Sequence, residues 1–187
     1  MSDLYARETT LALLHEHTKT DSLRRHAYAV EAAMRAAARR TGGDETYWAA
    51  VGLIHDFDYE MHPEAPDHPV KGAEILRARG YPEEFVRTIL SHASYTGVPR
   101  DDDCARWLFA VDELCGFCMA CAMVQPDKKI ASVKVKSVRK KLKKKDFAAK
   151  VSREEIAEGA ADLGLERDEL IEHVLGALRE VSADLDL

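Results

Sequence analysis

The 187-residue chain reads as all-α, and three observations carry that reading. Alanine, leucine, glutamate, lysine and arginine dominate, and all five are strong helix formers; β-branched residues are sparse outside short runs. Apolar residues recur mostly at helical spacing rather than alternating. Capping residues and breakers divide the periodic stretches into helices of ordinary length. With 46% hydrophobic and 32% charged residues, the composition is that of a soluble globular protein. The length predicts one domain over 1–187: a core at about 20–125, with a basic segment at 128–150 and C-terminal helices at 152–184 packed on it. No apolar run approaches the roughly 20 residues of a membrane span, and Met1 to Thr20 lacks a signal peptide's apolar centre. A cytoplasmic chain with its four cysteines reduced is therefore expected, without a membrane partner.

The elements follow in order. Leu4 to Glu16, with Leu4, Leu11, Ala12 and Leu14, predicts a first helix, broken at Thr18 to Asp21. Asp21 or Ser22 caps a second, with Leu23, His26, Val30, Met34 and Ala37 inside and Gly42 at its end. Asp44 caps a third, with Trp48, Val51, Gly52 and His55 along one side. Pro63 and Pro66 make a loop of 58–67. His68-Pro69 opens the next helix, in which Val70, Ala73 and Leu76 face inward and Gly80 ends the run. Pro82 begins another, with Phe85, Ile89 and His92 on one face. Asp103 caps a long apolar helix to about Met123, with Leu108, Val111, Asp112 and Cys115 on one side. Ser152 to Glu155 resembles a capping box for a helix to Leu163, and Asp168 to Val181 is the last helix.

Candidate metal ligands sit on the inner faces of these helices or at their ends. The stretch Gly52 to Glu60 (GLIHDFDYE) sets His55 beside Asp56 among apolar neighbours. His26, His68, His92 and Asp112 share their surroundings with core-type residues. A carboxylate on an apolar helix face is costly unless something pairs with it, and a metal ion is one such partner. Imidazole and carboxylate are both good ligands for a divalent cation. Asp58, two residues after Asp56, can orient a water, hydrogen-bond a ligand histidine or cap the loop. His15, His17, His62 and His173 fit no ligand pattern and are expected at the surface. Cys115, Cys118 and Cys121 have a spacing that suggests a cluster site, but inside one helix they fan round its surface, so core packing is expected.

This set resembles the HD superfamily of metal-dependent hydrolases, whose pattern is a histidine, then His-Asp, then a distant aspartate. His26, His55-Asp56 and Asp112 match it in order, over about Leu23 to Phe117. HPVKGAEIL with His68 and ILSHAS with His92 resemble the extra histidine pair of members that hold two metals. VDELCGF and SVRKKLKKKDFA resemble a bacterial branch of the superfamily. The resemblance implies one or two divalent ions (iron, manganese, zinc, nickel or magnesium). Asp56 would bridge them, with His26, His55 and Asp112 on one and His68 and His92 on the other. It implies a phosphohydrolase acting on a small phosphate ester, such as a nucleotide, with His55, Asp56 and Asp58 at the reacting centre. Two other readings stay open: a non-haem di-iron oxygenase, which some members with the same six ligands are, and a non-catalytic, metal-stabilised sensor or interaction module.

The charge is unevenly spread. Lys128 to Lys145 holds ten of the 27 lysines and arginines and no acid, leaving 17 basic against 33 acidic residues elsewhere. Val133, Val135, Val138, Leu142 and Phe147 interleave with the cations, so part of the segment is expected to pack on the domain. Val133 to Lys136 suggests a short extended piece, with Ser137 capping a helix after it. The expectation is that Lys134, Lys136, Arg139, Lys140 and Lys141 close over the metal site and hold a phosphorylated substrate. Nucleic acid is a weaker candidate partner, because the remainder of the chain is strongly acidic.

Overall fold

The computed structural model describes residues 4–187. The described residues form ten α-helices: α1 Arg7–His17, α2 Asp21–Thr41, α3 Glu45–Ile54, α4 Asp67–Ala78, α5 Glu83–Leu90, α6 Asp103–Met123, α7 Val135–Leu142, α8 Arg153–Asp162, α9 Arg167–Glu180 and α10 Ser182–Leu185. Two short 3-10 turns, Ser94–Thr96 and Ile130–Ser132, lie between them, and no strand occurs among the described residues. The all-α prediction holds. The two longest helices, α2 and α6, each of 21 residues, form the axis of the fold. α2 packs against α3, α6 and α9, and α6 packs against α8 and α9; α1 lies on α3, and α4 on α5. Val30, Met34, Val51, Phe57, Leu108, Val111, Leu114, Phe117, Val174 and Leu175 are wholly buried between them.

Two of these contacts position the site. At Gly52 a Cβ would stand 2.8 Å from the Val30 carbonyl oxygen, so glycine lets α3 approach the backbone of α2. That draws the end of α3, which carries His55, towards His26 on α2. At Gly72 a Cβ would meet the Asp58 carboxylate at 2.6–2.9 Å, so glycine lets α4 close on the turn after α3.

Several boundaries differ from expectation, each for a local reason. α1 starts at Arg7 and buries Thr10, Leu13 and Leu14, while Ala12 is exposed. Thr20, not Asp21 or Ser22, stands at the N-cap of α2, and its side chain makes no capping bond. Asp102, not Asp103, caps α6: its Oδ1 accepts from the Ala105 amide at 2.8 Å, while Asp103 pairs with Arg106. His68 and Pro69 are non-helical, consistent with the bias of a residue before proline away from the α region, and Val70 is exposed. His92 lies two residues past the end of α5. Ser137 is inside α7, which begins at Val135 without a side-chain cap and buries Val138. Packing, which supplies most helical stability in a folded domain, outweighs the cap there. The extended piece is confined to Val133 and Lys134. Asp44, Gly42 and Ser152 cap as expected. All four cysteines are buried and free.

His173 is half-buried rather than exposed. Its ring lies 4.6 Å from that of Trp107, and Nε2–H donates to the Ala33 carbonyl at 3.1 Å. Burial lowers its pKa below the usual 6.5. Between that lowered value and 6.5 the unfolded chain holds more protons than the folded one, so this contribution to stability rises with pH and is lost as pH falls below about 6.5. Measured from pH 7.5 down to 5, the urea midpoint of the parent chain is expected to fall relative to that of His173→Gln. Equal slopes in the two chains would remove His173 from the explanation.

Candidate metal centre

The end of α3 and the turn after it bring His55, Asp56 and Asp58 into a wall formed with α2, α4, α6 and the turn after α5. His55 is fully buried. Its Nδ1–H donates to the Gly52 carbonyl at 2.8 Å, which leaves Nε2 facing inward. His92 repeats the device: its Nδ1–H donates to the Ile89 carbonyl, three residues earlier, at 2.6 Å. His68 Nδ1–H donates instead to Asp58 Oδ1 at 3.0 Å, and the other oxygen of Asp58 accepts the Gly72 amide at 3.0 Å. Each ring is thereby fixed in one orientation, with Nε2 facing inward to serve as a ligand once it carries no proton.

The inward atoms form two groups that share one residue. His26, His55, Asp56 and Asp112 make the first, and Asp56, His68 and His92 the second; within each, the ligand atoms lie within 4.8 Å of one another. Asp56 faces both. Its Oδ2 is 3.5 Å from His55 Nε2, and its Oδ1 is 3.2 Å from His68 Nε2 and 3.2 Å from His92 Nε2. Asp112 Oδ1 lies 2.9 Å from His26 Nε2 and 3.3 Å from His55 Nε2. The structure thus brings together all six residues singled out as candidate ligands.

The electrostatics of the pair of groups fit a cation. His55 Nε2 and Asp56 Oδ1 are buried and have no hydrogen-bond partner. Burial alone would keep His55 neutral, but the carboxylates of Asp56 and Asp112 outweigh it and raise its pKa to about 10. Burial likewise opposes charge on His68, and Asp56 and Asp58 raise it to about 9. Asp56 and Asp112 stay well below the usual carboxylate range against the opposing effect of burial, His55 being their principal charge partner. Without metal, protons on imidazole supply the positive charge the carboxylates require. Divalent ions at the same Nε2 and carboxylate oxygens would supply it instead, and all four histidines offer the nitrogen such ions take. The residues fit one or two metal ions.

A family model described as the HD domain matches residues 23–115. The chain belongs to the HD-domain superfamily. Comparisons with curated proteins and with solved structures found no match. The matched span runs from α2 into α6 and contains all six candidate ligands of the HD domain. No helix among the described residues is long and apolar enough to cross a membrane.

The HD-domain cavity, of about 460 Å³, has walls the sequence reading did not assign. Glu113, Glu155, Lys150, Tyr59 and Tyr95 line it beside the ligands. Glu113 accepts the Ser152 amide at 3.1 Å, and burial together with Asp112 pushes its pKa up to about 7. Tyr95 O–H donates to the His68 carbonyl at 2.5 Å, and the Tyr59 ring stands edge-on to the His68 ring at 5.2 Å. Tyr59 lies inside the quoted stretch around His55, and Glu113 directly follows Asp112, so adjacency was the one signal for both. Glu155 was visible only as part of a capping box, and Lys150 only as the end of the basic segment.

The five cations expected to close over the site are not in its wall. Lys134, Lys136, Arg139, Lys140 and Lys141 belong to α7 and its N-cap, which packs on α9 and α6, and none lines the cavity. Arg139 pairs with Asp168 of α9 at 2.7 Å, and Lys141 stands 5.0 Å from the Phe147 ring. Burial of Ile130, Val133 and Val138 fixes the segment there. His15 bonds Tyr28 at 2.7 Å, and His62 is half-buried in the loop before α4.

Proposed function

We propose that this HD domain is a metal-dependent phosphohydrolase acting on a small phosphate monoester, such as a nucleoside monophosphate. One observation carries the reading: two histidine–carboxylate groups share Asp56 and open into a cavity large enough for a small ester. Divalent ions bound there would lower the pKa of water and neutralise charge on an attacked phosphate. The chain's own part is orientation. His55 and His92, tied through Nδ1 to carbonyls of their own turns, and His68, tied to Asp58, hold three Nε2 atoms at fixed places. Asp56 keeps one oxygen towards each group. Lys150 brings positive charge to the cavity wall and is the cation we assign to the substrate phosphate, in place of the α7 residues. Tyr59 and Tyr95, both substantially exposed at the wall, offer ring faces for a planar leaving group.

Protein purified under anaerobic conditions, assayed for metal and then for phosphate release from a panel of monoesters, is expected to release phosphate in proportion to its metal content. Oxygen uptake is measured beside it. Metal-replete protein that releases no phosphate, or that consumes oxygen with an organic substrate, would overturn the reading. The division between the two groups has its own test. His68→Ala with His92→Ala is expected to lower bound metal from about two ions to about one, leaving His26, His55, Asp56 and Asp112 as ligands. A count that falls to zero, or stays constant, would contradict the division.

A further inference from the structure

The basic segment is not in the cavity wall, yet it helps to build a second pocket. Arg139, Leu142 and Lys143 from α7 and the turn after it, Arg153 and Ile156 from α8, and Arg167 from the start of α9 line a cavity of about 90 Å³. Four of those six residues are cationic and none is acidic. Only Arg139 among the four has a carboxylate partner, Asp168; among the described residues Lys143, Arg153 and Arg167 have none. Three unpaired like charges around one small space repel one another, and a bound anion would relieve that repulsion.

Arg153 is held rigidly. Its Nη1 donates to the carbonyls of Ala148 at 2.7 Å and Val151 at 2.5 Å, and its Nη2 to those of Lys144 and Phe147. These bonds neutralise none of its charge, and its Nε, a buried donor, has no acceptor. Its guanidinium also lies 5.0 Å from the Phe117 ring. Arg167 is the first residue of α9, whose N-terminus has no side-chain cap.

We propose that this pocket between α7, α8 and the start of α9 is a binding site for a single phosphate group, separate from the metal centre. The volume suits one tetrahedral oxyanion and excludes a whole nucleotide. The unpaired Nε–H of Arg153, the Arg167 guanidinium and the Lys143 ammonium match phosphate oxygens as charged donors. The ligand is free phosphate or the phosphoryl end of a larger molecule. The carbonyls that Arg153 gathers belong to the strap that carries Lys150 and Val151 into the wall of the first cavity, so both pockets share one strap.

The test is calorimetric titration of the full chain, metal-loaded and again after chelation, with inorganic phosphate and with methylphosphonate, at constant ionic strength. Phosphate is expected to bind in both states. Binding by methylphosphonate as well would assign the phosphoryl end of a larger molecule, and binding by phosphate alone would assign free phosphate. In Lys143→Ala with Arg167→Ala the affinity of the chelated chain is expected to fall at least about tenfold, the order of losing one charge-assisted contact, with metal content of the loaded chain unchanged. The pair Lys143→Arg with Arg167→Lys is expected to keep binding. Phosphate binding that disappears on chelation would assign all of it to the metal centre and overturn the proposal. So would an alanine pair that binds like the parent chain, a charge-conserving pair that does not bind, or equal heats from chloride.

Discussion

Asp56→Ala is expected to leave purification with roughly no bound metal and to lose phosphate release by more than about a thousandfold, the order lost when a member of a reacting centre that acts as a unit is removed. Among the described residues no other belongs to both groups: Oδ2 looks towards His55, and Oδ1 towards His68 and His92. Removing it deprives both groups of a charged ligand at once and leaves His55 and His68 without their common counter-charge. His55→Ala is expected to empty the first group in the same way, because its buried Nε2 lies between Asp56 and Asp112. Metal analysis beside a phosphate-release assay reads both effects. Full metal occupancy in either variant would refute the ligand assignment itself, whereas occupancy lost with phosphate release kept would refute the metal dependence of the reaction.

Asp58→Ala is expected to act without touching any ion. Asp58 is 0% exposed, and its two oxygens accept His68 Nδ1–H and the Gly72 amide. The substitution strands two buried donors, each costing about 1–3 kcal/mol, so a stability loss of about 2–5 kcal/mol is expected in urea unfolding. It also frees the His68 ring. Loss of a carboxylate that orients a ligand histidine lowers metal affinity by about 10–100-fold, and that loss should fall on the second group. Asp58→Asn keeps one acceptor but turns an NH₂ towards the other donor, so an intermediate effect is expected. Unchanged metal affinity in Asp58→Ala, with the stability loss present, would reduce Asp58 to a purely structural acceptor. This geometry selects, among the roles open to Asp58 in the sequence, the one that holds a ligand histidine.

The six candidate ligands were legible because each stands among core residues whose periodicity is local. His26, half-buried, adjoins the buried residues of α2, and Asp112, half-buried, those of α6. The cavity wall was not legible. Lys150 and Glu155 enter through the strap before α8 and its first turn, and nothing near them in the chain points to residues some ninety positions earlier. The basic segment buries Val133 and Val138, while the cations expected over the site line no part of the cavity wall. Alternation of charge and apolar residues says that one side is buried, not against which neighbour.

The sequence by itself determined the helical class, most of the helices and the identity and order of the metal-ligand candidates, since these follow from residue type and from spacing within single turns. Only the tertiary structure decided that Asp56 turns one oxygen to each group, that Asp58 holds His68, and that α7 lies on α9 away from the metal centre. His26 and Asp112 are 86 positions apart in the chain and 2.9 Å apart in space. That distance is set by how α2 and α6 pack, a sum of many small contacts no single stretch of sequence contains.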